Sequence, residues 1–225
     1  MPDSREKWKA SFERFSGWNT LKQRRVQKRE AQVIAAWLLS LRLPRYDILE
    51  VGCGNGHLGR IIADTLAAQR VSFSYHFSDL LPACIAKAKE EMRSAPYSEY
   101  VSFSVLDVYR ADKVLGERSQ SVIISTGFAS AATYRDAVPA IARALKEDGV
   151  LICDFVNHLS PFVFLSQPFA SVRALRRYIN GVEGYHFGIH GIRRYFGSNG
   201  LGMVRSGVLR WRQNPLLCMF QKRTQ

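Results

Sequence analysis

Glu50-Val51-Gly52-Cys53-Gly54-Asn55-Gly56 is the stretch whose reading decides the fold. An apolar run, Tyr46 to Val51 (YDILEV), leads straight into it, and the helical pattern of residues 57–68 (HLGRIIADTLAA) leads out. Short apolar runs closed by glycine read as buried strands. The alternating glycines let the backbone turn sharply and keep any Cβ from standing between it and a ligand. Strand, glycine turn and helix in this order place a binding crevice beyond the carboxyl end of the strand.

Toward the amino end, residues 5–15 and 20–41 read as helices, the second on the spacing of Val33, Ile34, Trp37, Leu38 and Leu41. Leu43-Pro44 ends it, because the residue before proline avoids the helical region. Beyond the glycine turn, strands are expected at 71–78, 100–106, 121–125 and 150–156. Helices alternate with them at Pro82–Met92 and 133–146. Strand and helix in alternation mean βαβ units and a doubly covered parallel sheet. After Pro161 and Pro168, helices are expected near 169–180 and 188–198. Strands at 202–211 and 216–222, with Asn214-Pro215 between them, read as a closing antiparallel hairpin. The fold class is therefore α/β, a doubly wound, mostly parallel seven-stranded sheet with an antiparallel C-terminal hairpin.

With 225 residues, 47% of them hydrophobic and 23% charged, the chain has enough apolar residues for a core and resembles neither a disordered chain nor a coiled coil. Cys53, Cys84, Cys153 and Cys218 stand far apart with no CxxC pair, which argues against a zinc site or a disulfide framework and for a reducing, cytoplasmic setting. No metal site is expected. No apolar stretch is long enough to span a bilayer, and the first residues lack a signal-peptide core. The formal net charge of +13 is unevenly spread. Residues 1–45 carry 11 Lys/Arg against 4 Asp/Glu, residues 46–160 carry 11 against 14, and residues 161–225 carry 10 against 1. A slightly acidic middle between two basic ends points to an anionic substrate or surface.

The glycine turn admits two ligands. Gly54-Asn55-Gly56-His57-Leu58-Gly59 satisfies GxGxxG, and Asp79 follows where a dinucleotide fold places its ribose-binding acid, so a nicotinamide cofactor is allowed. Glu50, however, puts a carboxylate where a pyrophosphate would be repelled, and Asp107 puts another after the third strand. Carboxylates after three successive strands suit a cationic ligand with ribose hydroxyls and an exocyclic amine.

At these residues the chain resembles the class I S-adenosylmethionine-dependent methyltransferases. ILEVGCGNG is similar to that family's first motif, an acid followed by GxGxG. FSDLLPACIAKAKE resembles its second-strand motif, VLDV its adenine-contacting segment, and AIARALKEDGVLICDF the helix, turn and strand that follow. The series runs through residues 46–156. Gln120-Ser121 and Glu147-Asp148-Gly149 depart from the family pattern at positions that do not normally touch the cofactor. Ser125-Thr126-Gly127-Phe128 stands where an Asn/Asp-Pro-Pro-aromatic motif would mark an amino-base methyltransferase.

The resemblance implies S-adenosyl-L-methionine as cofactor and assigns roles. Glu50 and the turn Gly52, Cys53, Gly54 and Gly56 would hold its methionine end. Asp79, with Leu80, would meet the ribose hydroxyls, and Asp107, with the Val108 amide, the adenine edge. Ser125 and Thr126 would border the sulfonium. The plainer alternative for both aspartates is turn or cap formation. The resemblance also implies an N-terminal helical lid over residues 1–45, a methyltransferase domain over 46–225 and a substrate-side helical insertion over 161–198. In the lid, Trp8, Phe12, Phe15 and Trp18 either stack on a flat substrate or staple the helix to the core.

Methyl transfer to oxygen or nitrogen requires a nucleophile held close to the methyl carbon and kept unprotonated. His158, just past the fifth strand, and His186 are the candidate bases, with Tyr185 and His190 beside them. His57 and His76 are weaker candidates, the latter expected in the core. Asp154 reads either as a polar group facing the cleft or as a buried acid. The leading expectation is a methyltransferase for a small, aromatic or anionic metabolite. Two alternatives follow from the basic ends: an RNA methyltransferase, or an enzyme working on a lipid or quinone at an anionic membrane surface through Phe169, Val172, Leu175 and Ile179.

Overall fold

The computed structural model describes residues 21–126, 131–156, 165, 169, 172, 189–208 and 215–223. Helix α1 (Leu21–Leu41) precedes β1 (Tyr46–Val51), α2 (His57–Ala68), β2 (Phe73–Asp79), α3 (Pro82–Met92) and β3 (Val101–Val105). A short α4 (Ala111–Leu115), β4 (Gln120–Ser125), α5 (Ala131–Ala144) and β5 (Leu145–Val156) come next. Helix α6 (Ile189–Ser198) and strands β6 (Leu201–Val208) and β7 (Pro215–Lys222) follow. The seven strands lie in the order β3-β2-β1-β4-β5-β7-β6. The first five run parallel, and β7 runs antiparallel to both β5 and β6. The fold class read from the sequence is the one observed.

Side chains alternate across β1, so the sheet buries both faces. Ile48 joins Ile34 and Leu38 of α1, Ile62 and Leu66 of α2 and Ile85 and Met92 of α3 on one face. Leu49 and Val51 join Val138 and Ile141 of α5 and Ile192 and Phe196 of α6 on the other. The strand order reverses between β1 and β4, which opens a crevice at their carboxyl ends.

Helix α1 forms on the expected spacing, but Ala31, Ile34 and Leu38 are fully buried, so this part of the segment read as a lid belongs to the body of the fold. The helix expected over 133–146 ends at Ala144, and β5 begins at Leu145 rather than at residue 150. Between Gln120 and Val122 of β4 the pairing jumps from Leu145 to Val150, and the loop of backbone this leaves contains Asp148 at φ 61°. Pairing of Leu145 with Gln120 captures residues that the sequence pattern assigned to the helix end. Ser74, Asp47 and Lys146 are tied across the amino ends of β2, β1 and β5, Ser74 donating to Asp47 Oδ1 at 3.0 Å and Lys146 to Asp47 Oδ2 at 2.5 Å. His76 is only half buried, not part of the core: its ring nitrogens meet the hydroxyls of Ser102 and Ser104, each at 2.7 Å. Residues 5–15 lie outside the described residues. Of the helix expected over 169–180, Phe169 and Val172 are described, and both are helical and exposed.

Candidate active site

The glycine turn between β1 and α2 has Gly52, Gly54 and Gly56 at φ 70°, 56° and 78°, a region that costs a side-chain-bearing residue about 1–2 kcal/mol. Two of these glycines serve different ends. A Cβ on Gly56 would stand 2.9 Å from that of Ala88 on α3, so this glycine lets two elements close together. A Cβ on Gly54 would meet nothing within 4 Å, so it faces open space.

The turn is anchored from β2. Cys53 N donates to Ser78 O at 2.9 Å, and Ser78 Oγ donates to Glu50 O at 2.8 Å. Asp79 binds both flanks: its Oδ2 accepts from Gly54 N at 3.0 Å and its Oδ1 from Leu81 N at 2.9 Å. Asp79 therefore joins the glycine turn to the start of α3, which is a turn-forming role. Burial raises its carboxyl above the usual range, opposed by these amides. Asp107 takes the corresponding place after β3, its Oδ1 accepting from Tyr109 N at 3.1 Å, with Val108 buried beside it. Ser125 ends β4 fully buried, and Thr126 is half buried next to it. The residues read as cofactor-binding from the sequence thus all lie at the carboxyl ends of β1 to β4 or in the turns just beyond.

Glu50 departs from the open position expected of it. It is 3% exposed and lies beneath α2, where a Cβ on Gly59 would collide with its Oε2. Tyr75 Oη donates to that oxygen at 2.9 Å. Burial, with the charge of Asp79 and against the Tyr75 hydrogen bond, pushes the Glu50 carboxyl up to about 8. The Cys53 thiol is likewise pushed far up by burial, then by the charges of Glu50 and Asp79, so it is no nucleophile.

His158 and His186, the candidate bases, lie outside the described residues. His57 begins α2, and its Nδ1 pairs with Glu91 Oε1 at 2.9 Å, while Arg24 Nη2 approaches Glu91 at 3.9 Å. That links α1, α2 and α3 beside the glycine turn. Asp154 on β5 is buried at 8% exposure. Glu30 was not among the site residues read from the sequence, although its signal was present. It precedes Ile34 and Leu38 at helical spacing on the buried stripe of α1, a carboxylate in line with apolar side chains. Among the described residues no group of side chains could hold a metal ion.

These residues fit S-adenosylmethionine. Gly54 leaves its backbone open to a ligand, Asp79 ends β2 and Asp107 follows β3, and Asn55 Nδ2 in the turn is a buried donor without a partner among the described residues. Residues 49–151 match the family described as methyltransferase domain. Over 117 residues the chain is 29% identical to a non-reducing polyketide synthase of Metarhizium robertsii, covering 50% of this chain and 5% of that protein. Over 136 residues it is 28% identical to the malonyl-[acyl-carrier protein] O-methyltransferase of Acetivibrio thermocellus, covering 60% of this chain and 44% of that one. Its fold is similar to that of the magnesium protoporphyrin IX methyltransferase of Synechocystis with bound SAH, at TM-score 0.67 and 17% identity over 98% of this chain and 94% of the other. The chain thus spans a small part of the polyketide synthase and less than half of the O-methyltransferase it matches.

The chain has the class I S-adenosylmethionine-dependent methyltransferase fold. No described helix is long and apolar enough to cross a membrane.

Proposed function

We propose that the protein transfers a methyl group from S-adenosylmethionine to oxygen or nitrogen of a small, aromatic or anionic acceptor. The observation that carries the reading is the placement of the glycine turn, Asp79 and Asp107 in series along the carboxyl ends of β1, β2 and β3, beside the reversal of strand order. When bound, the cofactor supplies an electrophilic methyl group on a sulfonium. The chain's part is to hold and orient. The glycine turn presents main-chain amides, Asp79 fixes that turn and offers its remaining lone pairs to hydroxyls, and Asp107 with the Val108 amide borders a flat, amine-bearing ring. Ser125 ends β4 beside β1 and Thr126 follows it, which puts both at the crevice where the strand order reverses. The strongly basic composition of residues 161–225 favours anionic acceptors. His158 and His186 remain the candidate bases for a hydroxyl acceptor.

A second reading, an acyl chain on a carrier protein, is favoured by the likeness to a polyketide synthase and to an acyl-carrier-protein O-methyltransferase. One experiment tests the reading and sorts the acceptors. Calorimetry with S-adenosylhomocysteine and NAD should show binding of the first alone, and transfer of labelled methyl to phenolic acids, amines and acyl-carrier substrates should identify the class. Binding of NAD without S-adenosylhomocysteine would overturn the proposal.

A further inference from the structure

Helix α1 holds two buried oxygen acceptors one turn apart, Gln27 Oε1 and Glu30 Oε1, and neither meets a donor among the described residues. Glu30 is 8% exposed. Glu50 and Asp154 face it from the sheet. Glu50 pairs with Ile124 and Ile124 with Ile152, and Asp154 lies one pleat period beyond Ile152, so both acids point to the face that α1 and α2 cover. Three elements that meet only in the folded chain thus bring three carboxyl groups to one buried place, where the charges of Asp154 and Glu50 act on Glu30. The Arg24–Glu91–His57 link sets this part of α1 beside the start of α2 and hence beside the glycine turn. A buried carboxyl oxygen that meets no donor favours a protonated group or a nearby cation.

We propose that Glu30, Glu50 and Asp154 form a charge-responsive seat under α1, which gives up a proton when the cofactor enters as the sulfonium cation and keeps it when the neutral sulfide product binds. The inference rests on S-adenosylmethionine being the cofactor. The step balances without a co-reactant. A carboxylic O–H bond breaks, its electron pair stays on oxygen, its proton goes to solvent, and the carboxylate compensates the incoming charge. After methyl transfer the positive charge is gone, and the carboxylate takes a proton back.

The surroundings of Glu30 support this direction. Glu50 approaches from β1 and Asp154 from β5, Asp79 adds its charge to Glu50, and Tyr75 of β2 donates to Glu50. On α1 itself, Arg24 reaches toward Glu91 on α3. Neither Glu30 nor Glu50 has a Lys, Arg or His ion-pair partner among the described residues. Burial, then the charges of Asp154 and Glu50, push the Glu30 carboxyl up to about 8, so the seat holds protons at neutral pH.

Calorimetry of the intact chain with S-adenosylmethionine and S-adenosylhomocysteine, in buffers of different ionisation enthalpy, tests the proposal. Between pH 6 and 8 the affinity for S-adenosylmethionine should rise against that for S-adenosylhomocysteine by up to about tenfold per pH unit, the slope of one linked proton. Proton release should accompany the first ligand alone. Glu30→Gln should reduce both differences, which separates the protein's protons from those of the ligand's own ammonium group. Equal pH slopes and equal proton counts for the two ligands in the wild type would overturn the seat while leaving the cofactor reading intact. Retention of the full difference in Glu30→Gln would do the same. Failure of either ligand to bind would remove the cofactor reading and this inference with it.

Discussion

Tyr75 and Glu50, on neighbouring strands, share a hydrogen bond of 2.9 Å in the interior of the protein, the phenol donating to the carboxyl group. Among the described residues this phenol is the side-chain donor that Glu50 receives, and it holds the group beneath α2 beside the glycine turn. Removing one partner of a buried hydrogen bond leaves the other desolvated, at a cost of about 1–3 kcal/mol. Tyr75→Phe should lower the unfolding free energy by that amount in urea titration, and it should raise the Glu50 carboxyl further. Unchanged stability would mean that water replaces the phenol.

The two buried glutamates make the stability of the ligand-free chain depend on pH. Their carboxyl groups stand at about 8 in the fold against 4.5 unperturbed, so the folded chain holds more protons between those values. Raising the pH through that window therefore weakens the fold, and the loss levels off above about 8. The melting temperature of the wild type should fall relative to that of Glu30→Gln from pH 5 to 8. Parallel melting curves for the two across the window would show that Glu30 ionises normally.

The glycines of the turn should separate stability from binding. Gly56→Ala meets both a left-handed backbone and Ala88, and it should cost about 2–5 kcal/mol of stability, strain and overpacking together. Gly54→Ala meets open space and should cost about 1–2 kcal/mol, yet it should weaken S-adenosylhomocysteine binding at least as much as Gly56→Ala does at temperatures where both are folded. Denaturant titration paired with calorimetry decides the matter. A Gly54→Ala chain with wild-type affinity would show that the open side of the turn is not the ligand side.

Asp79 carries two duties, and one substitution reads both. Asp79→Ala releases the Gly54 and Leu81 amides, so the ligand-free chain should lose about 1–3 kcal/mol of stability. Affinity for S-adenosylhomocysteine should fall as well. Lost stability with unchanged affinity would mark Asp79 as a residue of the turn alone.

The order of strands and helices was legible because each element carries its own period, and the glycine turn was legible because its chemistry is local. Asp79 at the end of β2 and Asp107 just beyond β3 were placed for the same reason. What could not be read depends on tertiary pairing. Leu145 leaves the helix because Gln120 pairs with it, and no feature of LKEDG in isolation favours the strand. His76 looked apolar in its surroundings until Ser102 and Ser104 came to stand beside it. Glu30 was the readable omission: an acid on the line of Ile34 and Leu38 is visible in the sequence, but its meaning needs Glu50 and Asp154, which reach it only through the sheet.

Strand β7 lies between β5 and β6, although it follows both in the chain. During synthesis, β5 emerges with one edge bare, and everything from Val156 to Pro215 must leave the ribosome before the strand that covers it appears. Until then the row of open amides and carbonyls along Val150–Val156 can pair with any extended chain nearby. Both edge strands, β3 and β6, are thus made before the last strand, β7, which is an interior one. Vulnerability to aggregation is greatest just before β7 emerges, and substitutions that slow the docking of β7 should reduce yield more than they reduce the stability of molecules already folded.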